Sequence, residues 1–105
     1  MKIAINKCYG GFSCSDALMT ELDLPIQDSI IPGMNHLYNE MFDIKDGNYN
    51  AHRTDPRLIA AIEKLGDAAS GPCGDLAIVE IPDDVDWEIS EYDGMETVEE
   101  VHRSW

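Results

Sequence analysis

The sequence predicts one α+β domain, a small antiparallel β-sheet packed with two helices. Three observations carry this. Residues 2–7, 76–81 and 87–92 alternate or run apolar over strand length. Two intervening segments, opening near Ser13 and at Asp55, begin on helix-capping residues and continue with apolar positions three or four apart. The length, 105 residues, suits one domain spanning 1–105. The order strand, helix, loop, helix, strand, strand fits the α+β class.

In the first strand Ile3 and Ile5 share one face, and Lys2, Ala4 and Asn6 the other. Gly10-Gly11 break it. Ser13 or Ser15 caps the following helix, and Ser13 with Asp16 resembles a capping pair. Leu18 and Leu22 share a helix face. Asp23-Leu24-Pro25 ends the helix, because the proline ring disfavours helical geometry in the residue before it. Residues 23–52 read as a less regular insertion, rich in turn residues such as Pro32-Gly33 and Asp46-Gly47. Within it Leu37, Met41 and Ile44 suit a short helical face, and Met41–Ile44 equally a short strand. The expectation is a loop with short elements that projects or closes over something.

Asp55-Pro56 opens the clearest helix, Asp55 as N-cap and Pro56 at the first helical position. Leu58, Ile62, Leu65 and Ala69 form its apolar stripe. Gly66 either ends it or allows close packing, and Ser70-Gly71-Pro72 stops it in any case. Leu76–Ile81 reads as a buried strand. After Pro82-Asp83-Asp84, residues 87–92 alternate as another, and a hairpin between these two strands is the economical connection. Asp93-Gly94 ends the last strand. Residues 95–105 suit a short acidic helix, with Val98 and Val101 on one side, or an extended tail. The sum is an antiparallel sheet of three or more strands with two helices on one face. An uncovered strand edge invites pairing with another chain.

The chain carries 21 acidic and seven basic residues, a net charge of −14, which disfavours nonspecific binding of nucleic acid through a positive field. Acids crowd residues 83–100, as a solvated face or as a mimic of a phosphate backbone. No run approaches the roughly 18 apolar residues of a membrane span, and "MKIAINKCYGG" turns polar too quickly for a secretory signal. A cytosolic protein is expected. Cys8, Cys14 and Cys73 match no zinc spacing and read as reduced thiols. A nucleophilic pair of one of them with His36, His52 or His102 has nothing in the sequence to single it out. No metal and no cofactor is expected, and catalysis is poorly supported, with no metal-ligand cluster and no Ser/His/Asp arrangement in a recognisable context.

The stretch "CYGGFS" is the first candidate site. Two glycines between a strand and a helix expose backbone N–H groups near a helix N-terminus, an arrangement that suits an anion. Tyr9 and Phe12 flank it, to stack on a base or, for Phe12, to act as an ordinary hydrophobic staple. Arg53, Arg57 and Arg103 matter because cations are scarce. Gathered at one pocket they would admit a small phosphate ligand and repel long nucleic acid; taken singly, each pairs more readily with one of the many carboxylates.

"MKIAINKCYGGFS", "RTDPRLIAAIEKLGDAASG" and "LAIVEIPDDVDWEISEYDGMETVEEVHRSW" together resemble a family of small phage-encoded proteins, with a glycine-aromatic start and a His-Arg-x-Trp finish, that includes the first type of anti-Thoeris nucleotide sponge. The resemblance covers about two-thirds of the chain. It implies an oligomer, dimer or hexamer, in the host cell cytoplasm that captures cyclic ADP-ribose isomers made by bacterial TIR-domain enzymes without cleaving them. In some members cyclic oligonucleotides occupy a separate site. Carried to matching positions it marks Gly10, Gly11, Phe12, Ser13, Arg53, His102, Arg103 and Trp105, with Tyr9 beside them from the residues' own chemistry. The chain departs from the pattern at Cys14, where leucine is expected, and in residues 23–52. The alternatives are an acidic mimic that blocks a host DNA-binding protein and an accessory phage protein without ligand.

Overall fold

The first strand forms where its alternation places it. In a computed structural model of the chain, which describes residues 1–9, 11–28, 30–45, 50–72, 74–83 and 85–100, β1 (Lys2–Asn6) pairs antiparallel with β2 (Leu76–Glu80). Ile3 stands opposite Val79 and Ile5 opposite Ala77. The Lys7 N–H donates to the Asp75 carbonyl (2.8 Å) and the Ile81 N–H to that of Met1 (2.9 Å). Antiparallel alternation therefore turns the backbone groups of Ile3 and Ile5 toward β2, and those of Lys2, Ala4 and Asn6 away from it. Ala4 and Asn6 are buried as completely as Ile3, so both faces of β1 are covered.

Helices cover one face. α1 (Asp16–Glu21) is short and is capped by Ser15 instead of Ser13, the Ser15 Oγ accepting from the Leu18 N–H at 3.1 Å. Its Leu18 and Met19 are fully buried. α2 (Pro56–Leu65) is the helix expected from its cap: the Asp55 carboxylate accepts from the Arg57 N–H at 2.9 Å. Leu58, Ile59, Ala61 and Ile62 turn inward, each large side chain contributing about 1.5–3 kcal/mol by burial. Gly66, at φ 57°, ends the helix, and open space where its Cβ would stand rules out close packing as its role.

The core joins Ala4, Leu76 and Ile78 of the sheet to Leu18, Met19, Leu58 and Ile62 of the helices. Residues 23–52 add Leu37 and Phe42 to that core, so much of the insertion is packed. Cys14 and Asn35 exchange backbone bonds at 2.8 and 3.0 Å, and the Asn35 amide donates to the Cys14 carbonyl and to Asp16. Met41 and Phe42 belong to a 3₁₀ turn, Asn39–Phe42, and not to a strand; a second 3₁₀ turn spans Ala51–Thr54. Asp46-Gly47 lies outside the described residues.

The C-terminal third departs from expectation. β3 (Trp87–Tyr92) pairs with β4 (Met95–Glu100) and not with β2, and residues 95–100 are strand and not helix. The fold is α+β with two two-stranded antiparallel sheets in place of one larger sheet. The cause is Asp93-Gly94. Both residues have positive φ, 51° and 90°, which the two-residue hairpin turn matching strand twist requires. The dipeptide closes a hairpin where a strand end was expected. This hairpin lies against β1, where Ile3 and Ile5 are buried outside the helical core cluster.

The turn yields a direct check. Gly94→Ala places a Cβ on a left-handed residue and is expected to cost about 1–2 kcal/mol. Urea unfolding measures it; an unchanged midpoint would contradict this turn geometry.

Candidate functional site

Arg53 sits in the 3₁₀ turn that leads into the α2 cap, with its side chain inside the protein and only 7% of the residue exposed. Its Nη1 and Nη2 donate to the two carboxylate oxygens of Glu96 at 2.7 and 2.9 Å. Nη1 also donates to the Ala4 carbonyl (3.2 Å), and Nε to His52 Nε2 (3.3 Å). The Phe12 ring lies under the guanidinium, 3.7 Å from ring centroid to carbon, close enough for a cation–π attraction. Glu96 Oε1 in turn accepts from the Asn6 N–H at 2.9 Å.

The ion pair thus satisfies two outward backbone groups of β1, the Ala4 C=O and the Asn6 N–H, as a third strand would. The Asn6 side chain extends the arrangement. Its amide donates to the carbonyls of Gly94 (2.8 Å) and Cys8 (2.6 Å), and its oxygen accepts from the Asp75 N–H (2.8 Å). Hairpin turn, strand and glycine turn meet at one buried asparagine.

His52 is held neutral in one tautomer. Asn39 Oδ1 accepts from the His52 backbone N–H (2.9 Å) and from Nδ1 (2.7 Å), so Nδ1 carries the proton and Nε2 accepts from Arg53. Burial first, and then the Arg53 charge, push the His52 pKa down from 6.5 to about 4. Its ring stacks on Phe42, with centroids 6.1 Å apart and planes 9° from parallel. Arg57 lies over the other ring of this stack, 5.3 Å from the Phe42 centroid, and pairs with Asp55 at 3.0 Å.

Phe12, His36, Leu37, Tyr38, Asn50, His52 and Arg53 line an open pocket of about 210 Å³, the volume share of about seven waters. Four of the seven lining residues carry rings. The Tyr38 side chain is largely exposed at its mouth. Such a wall suits a flat, partly polar ring better than a chain of phosphates, because the Arg53 charge is already matched by Glu96.

Of the residues expected at a ligand site, Phe12 and Arg53 come together. Gly11 takes a positive φ, 87°, in the turn that delivers Phe12. Ser13 is buried, its Oγ without a hydrogen-bond partner among the described residues, and packs where a Cβ on Gly71 or Gly74 would stand, at 2.6 and 2.9 Å. It does not line the pocket. Tyr9 is exposed and lies away from the pocket wall. Gly10, His102, Arg103 and Trp105 lie outside the described residues. The expected gathering of arginines does not occur between the two described ones. Arg53 is neutralised by Glu96, and Arg57 by Asp55 beside a different cleft. α1 has only six residues and spends its cap on Ser15, so it adds little dipole to an anion site.

Sequence reasoning missed Glu96, Asn39, Asn50 and Tyr38, and weighed His36 and His52 only as partners for a thiol. Glu96 was one acid among many at 83–100, and the others lie in an insertion without periodicity. Cys14 is a core residue whose thiol burial pushes up to about 12, so it is inert as a nucleophile. Among the described residues no group of three His, Cys, Asp or Glu is placed to hold a metal ion, and no helix is long and apolar enough to cross a membrane. Comparison with family models, curated proteins and solved structures finds no match for this chain.

Two outcomes follow from this geometry. Glu96→Gln leaves the Arg53 charge buried without a counter-ion and is expected to cost about 3–5 kcal/mol in urea unfolding. Lys2→Ala, at an exposed pair with Glu63, should cost under about 1 kcal/mol. The histidine sets a pH dependence of known sign. Below 6.5 unfolded His52 takes up a proton that the folded chain refuses until about 4, so its contribution is present above 6.5 and is lost as pH falls. At pH 5 the loss is about 2 kcal/mol, and His52→Gln should abolish that part of the difference between unfolding curves at pH 7 and pH 5.

Proposed function

We propose that the protein is a nucleotide sponge that captures a cyclic ADP-ribose isomer and holds it intact. The observation that carries this reading is the ring-lined pocket whose wall is the Phe12–Arg53 stack. The resemblance of the two ends and of the 53–71 region to the phage sponges points the same way. Cyclic ADP-ribose isomers combine an adenine, two riboses and a pyrophosphate. A pocket of about 210 Å³ is smaller than the roughly 300–1,000 Å³ that encloses a drug-sized ligand. It therefore takes the adenine, between rings and beside polar Asn50 and His36, and leaves the rest of the ligand outside.

Among the described residues Arg53 spends four of its five N–H groups, two on Glu96 and one each on Ala4 and His52. One Nη2 hydrogen remains for a ligand oxygen. The pyrophosphate falls to other groups, the Gly10-Gly11 amides and Arg103. Capture without turnover asks only for slow release, not for groups placed against a transition state. Binding through a few aromatic contacts inside an acidic exterior also discriminates against long nucleic acid, which the net charge of −14 repels.

The experiment is capture and release. Purified protein is incubated with cyclic ADP-ribose, and separately with a nucleotide extract of TIR-activated cells, then washed, denatured and analysed by mass spectrometry. Intact ligand is expected in stoichiometric amount. Tyr38→Ala, an exposed change at the pocket mouth, should weaken binding about tenfold, the worth of one lost base stack. Recovery of a hydrolysed product, or of no nucleotide, would overturn the reading; capture of a host DNA-binding protein in its place would favour an acidic mimic.

A further inference from the structure

The β3–β4 hairpin has one strand edge without a neighbour. β4 leans on β1, fastened there by the Glu96 side chain and the Gly94 carbonyl, and β3 stands on its far side. The Asp93-Gly94 turn makes Tyr92 and Met95 a hydrogen-bonded pair. Ladder alternation then spends Glu88, Ser90 and Tyr92 on β4 and turns the N–H and C=O of Trp87, Ile89 and Glu91 outward. No described residue takes these outward groups. A two-stranded hairpin is marginal by itself, and a third strand is what such a ribbon needs to become robust.

The side chains along the edge define the strand that fits. Glu88 stands directly opposite Glu99, both exposed, a like-charge pair that costs stability. Glu91 is exposed further along β3, and Ile89 between them is only half-buried. Residues 85–100 contain no Lys, Arg or His, and neither proline nor bulge interrupts the ladder from Trp87 to Tyr92. The carboxylates blunt this edge against a second copy of the same acidic chain. A strand that brings cations meets no such barrier and relieves the Glu88–Glu99 repulsion.

We propose that the β3 edge docks an extended, basic segment of another protein, added antiparallel as a third strand of the hairpin. Main-chain bonds to Trp87, Ile89 and Glu91 hold it, and its side chains select it. A Lys or Arg faces Glu91, an apolar residue faces Ile89 and a second Lys or Arg faces Glu88, so the partner reads basic-x-apolar-basic. The net charge of −14 steers such a segment toward the hairpin. Pairing in a fixed register separates this contact from attraction to the acidic surface at large. None of these residues lines the ring-walled pocket, so the contact holds whatever the pocket binds.

The probe is the peptide acetyl-Thr-Lys-Thr-Val-Lys-Val-Thr-amide, titrated to ~1 mM into the full chain while backbone amide shifts are followed by NMR. Saturable shifts are expected along Trp87–Tyr92 and its β4 partners. They should weaken as salt rises from ~0.1 to ~1 M, where the screening length falls from about 10 Å to 3 Å. The same peptide with proline for its first valine keeps the charge but cannot donate at Ile89, and should bind about tenfold more weakly. Glutamate for both lysines should abolish binding. Glu88→Lys, an exposed change that makes an opposite-charge pair with Glu99, should weaken binding about tenfold without lowering the melting temperature. The absence of shifts at ~1 mM peptide, shifts centred outside the hairpin, or equal binding of the proline or glutamate peptide overturns the proposal. Both control peptides are read on the unaltered chain, so the outcome does not hang on the variant.

Discussion

The structure depends on one buried ion pair. Arg53 and Glu96 are both nearly inaccessible, and removing two charges from water is costly unless every partner is in place. Here the partners are in place. The carboxylate takes two guanidinium bonds and the Asn6 N–H, and the guanidinium adds the Ala4 carbonyl, His52 and the Phe12 face. Three separate consequences rest on this pair. It holds the β3–β4 hairpin to the first strand, it seals that strand's edge, and its Arg53 charge, opposed by that of Glu96, adds to the burial that keeps His52 neutral.

The same pair shapes what the pocket can recognise. A guanidinium at a cavity wall ordinarily advertises for phosphate. With Glu96 across both its terminal nitrogens, Arg53 instead stiffens Phe12 and offers at most a single N–H. Flat surfaces surround the opening, with Phe12, Tyr38, His36 and His52 in the pocket wall. These rings stand on a rigid support, because His52 is pinned by Asn39 and Phe12 by Arg53. That economy of charge suits a protein whose exterior is strongly acidic.

Legibility varied with the range of the interaction that decided each feature. Local signals read correctly. Asp55-Pro56 marked the start of α2, and the alternation at residues 2–7 and the apolar run at 76–81 marked β1 and β2, each to within one residue. Asp93-Gly94 was visible only as a strand end, because its two positive φ angles, which make it a hairpin turn, belong to the folded backbone. Reading it as a strand end cost β4 and misassigned the partner of β3. At the site, Phe12 and Arg53 stood out by type and scarcity. Glu96 did not, since nothing local separates it from Glu88, Glu91, Glu99 or Glu100; only its position across β1 buries it.

The sequence by itself determined the α+β class, the Asp55 cap of α2, the acidic composition and the residues scarce enough to matter. These follow from steric preferences and charge counts that act over a few residues. Tertiary structure alone decided which acid neutralises Arg53, which serine caps α1, and that two small sheets replace one larger one. The first two turn on bonds between residues far apart in the chain, Arg53 to Glu96 and Ser15 to Ala68, and the third on a hairpin turn whose positive φ angles exist only in the folded backbone. Their energy depends on burial that exists only once the chain has closed on itself.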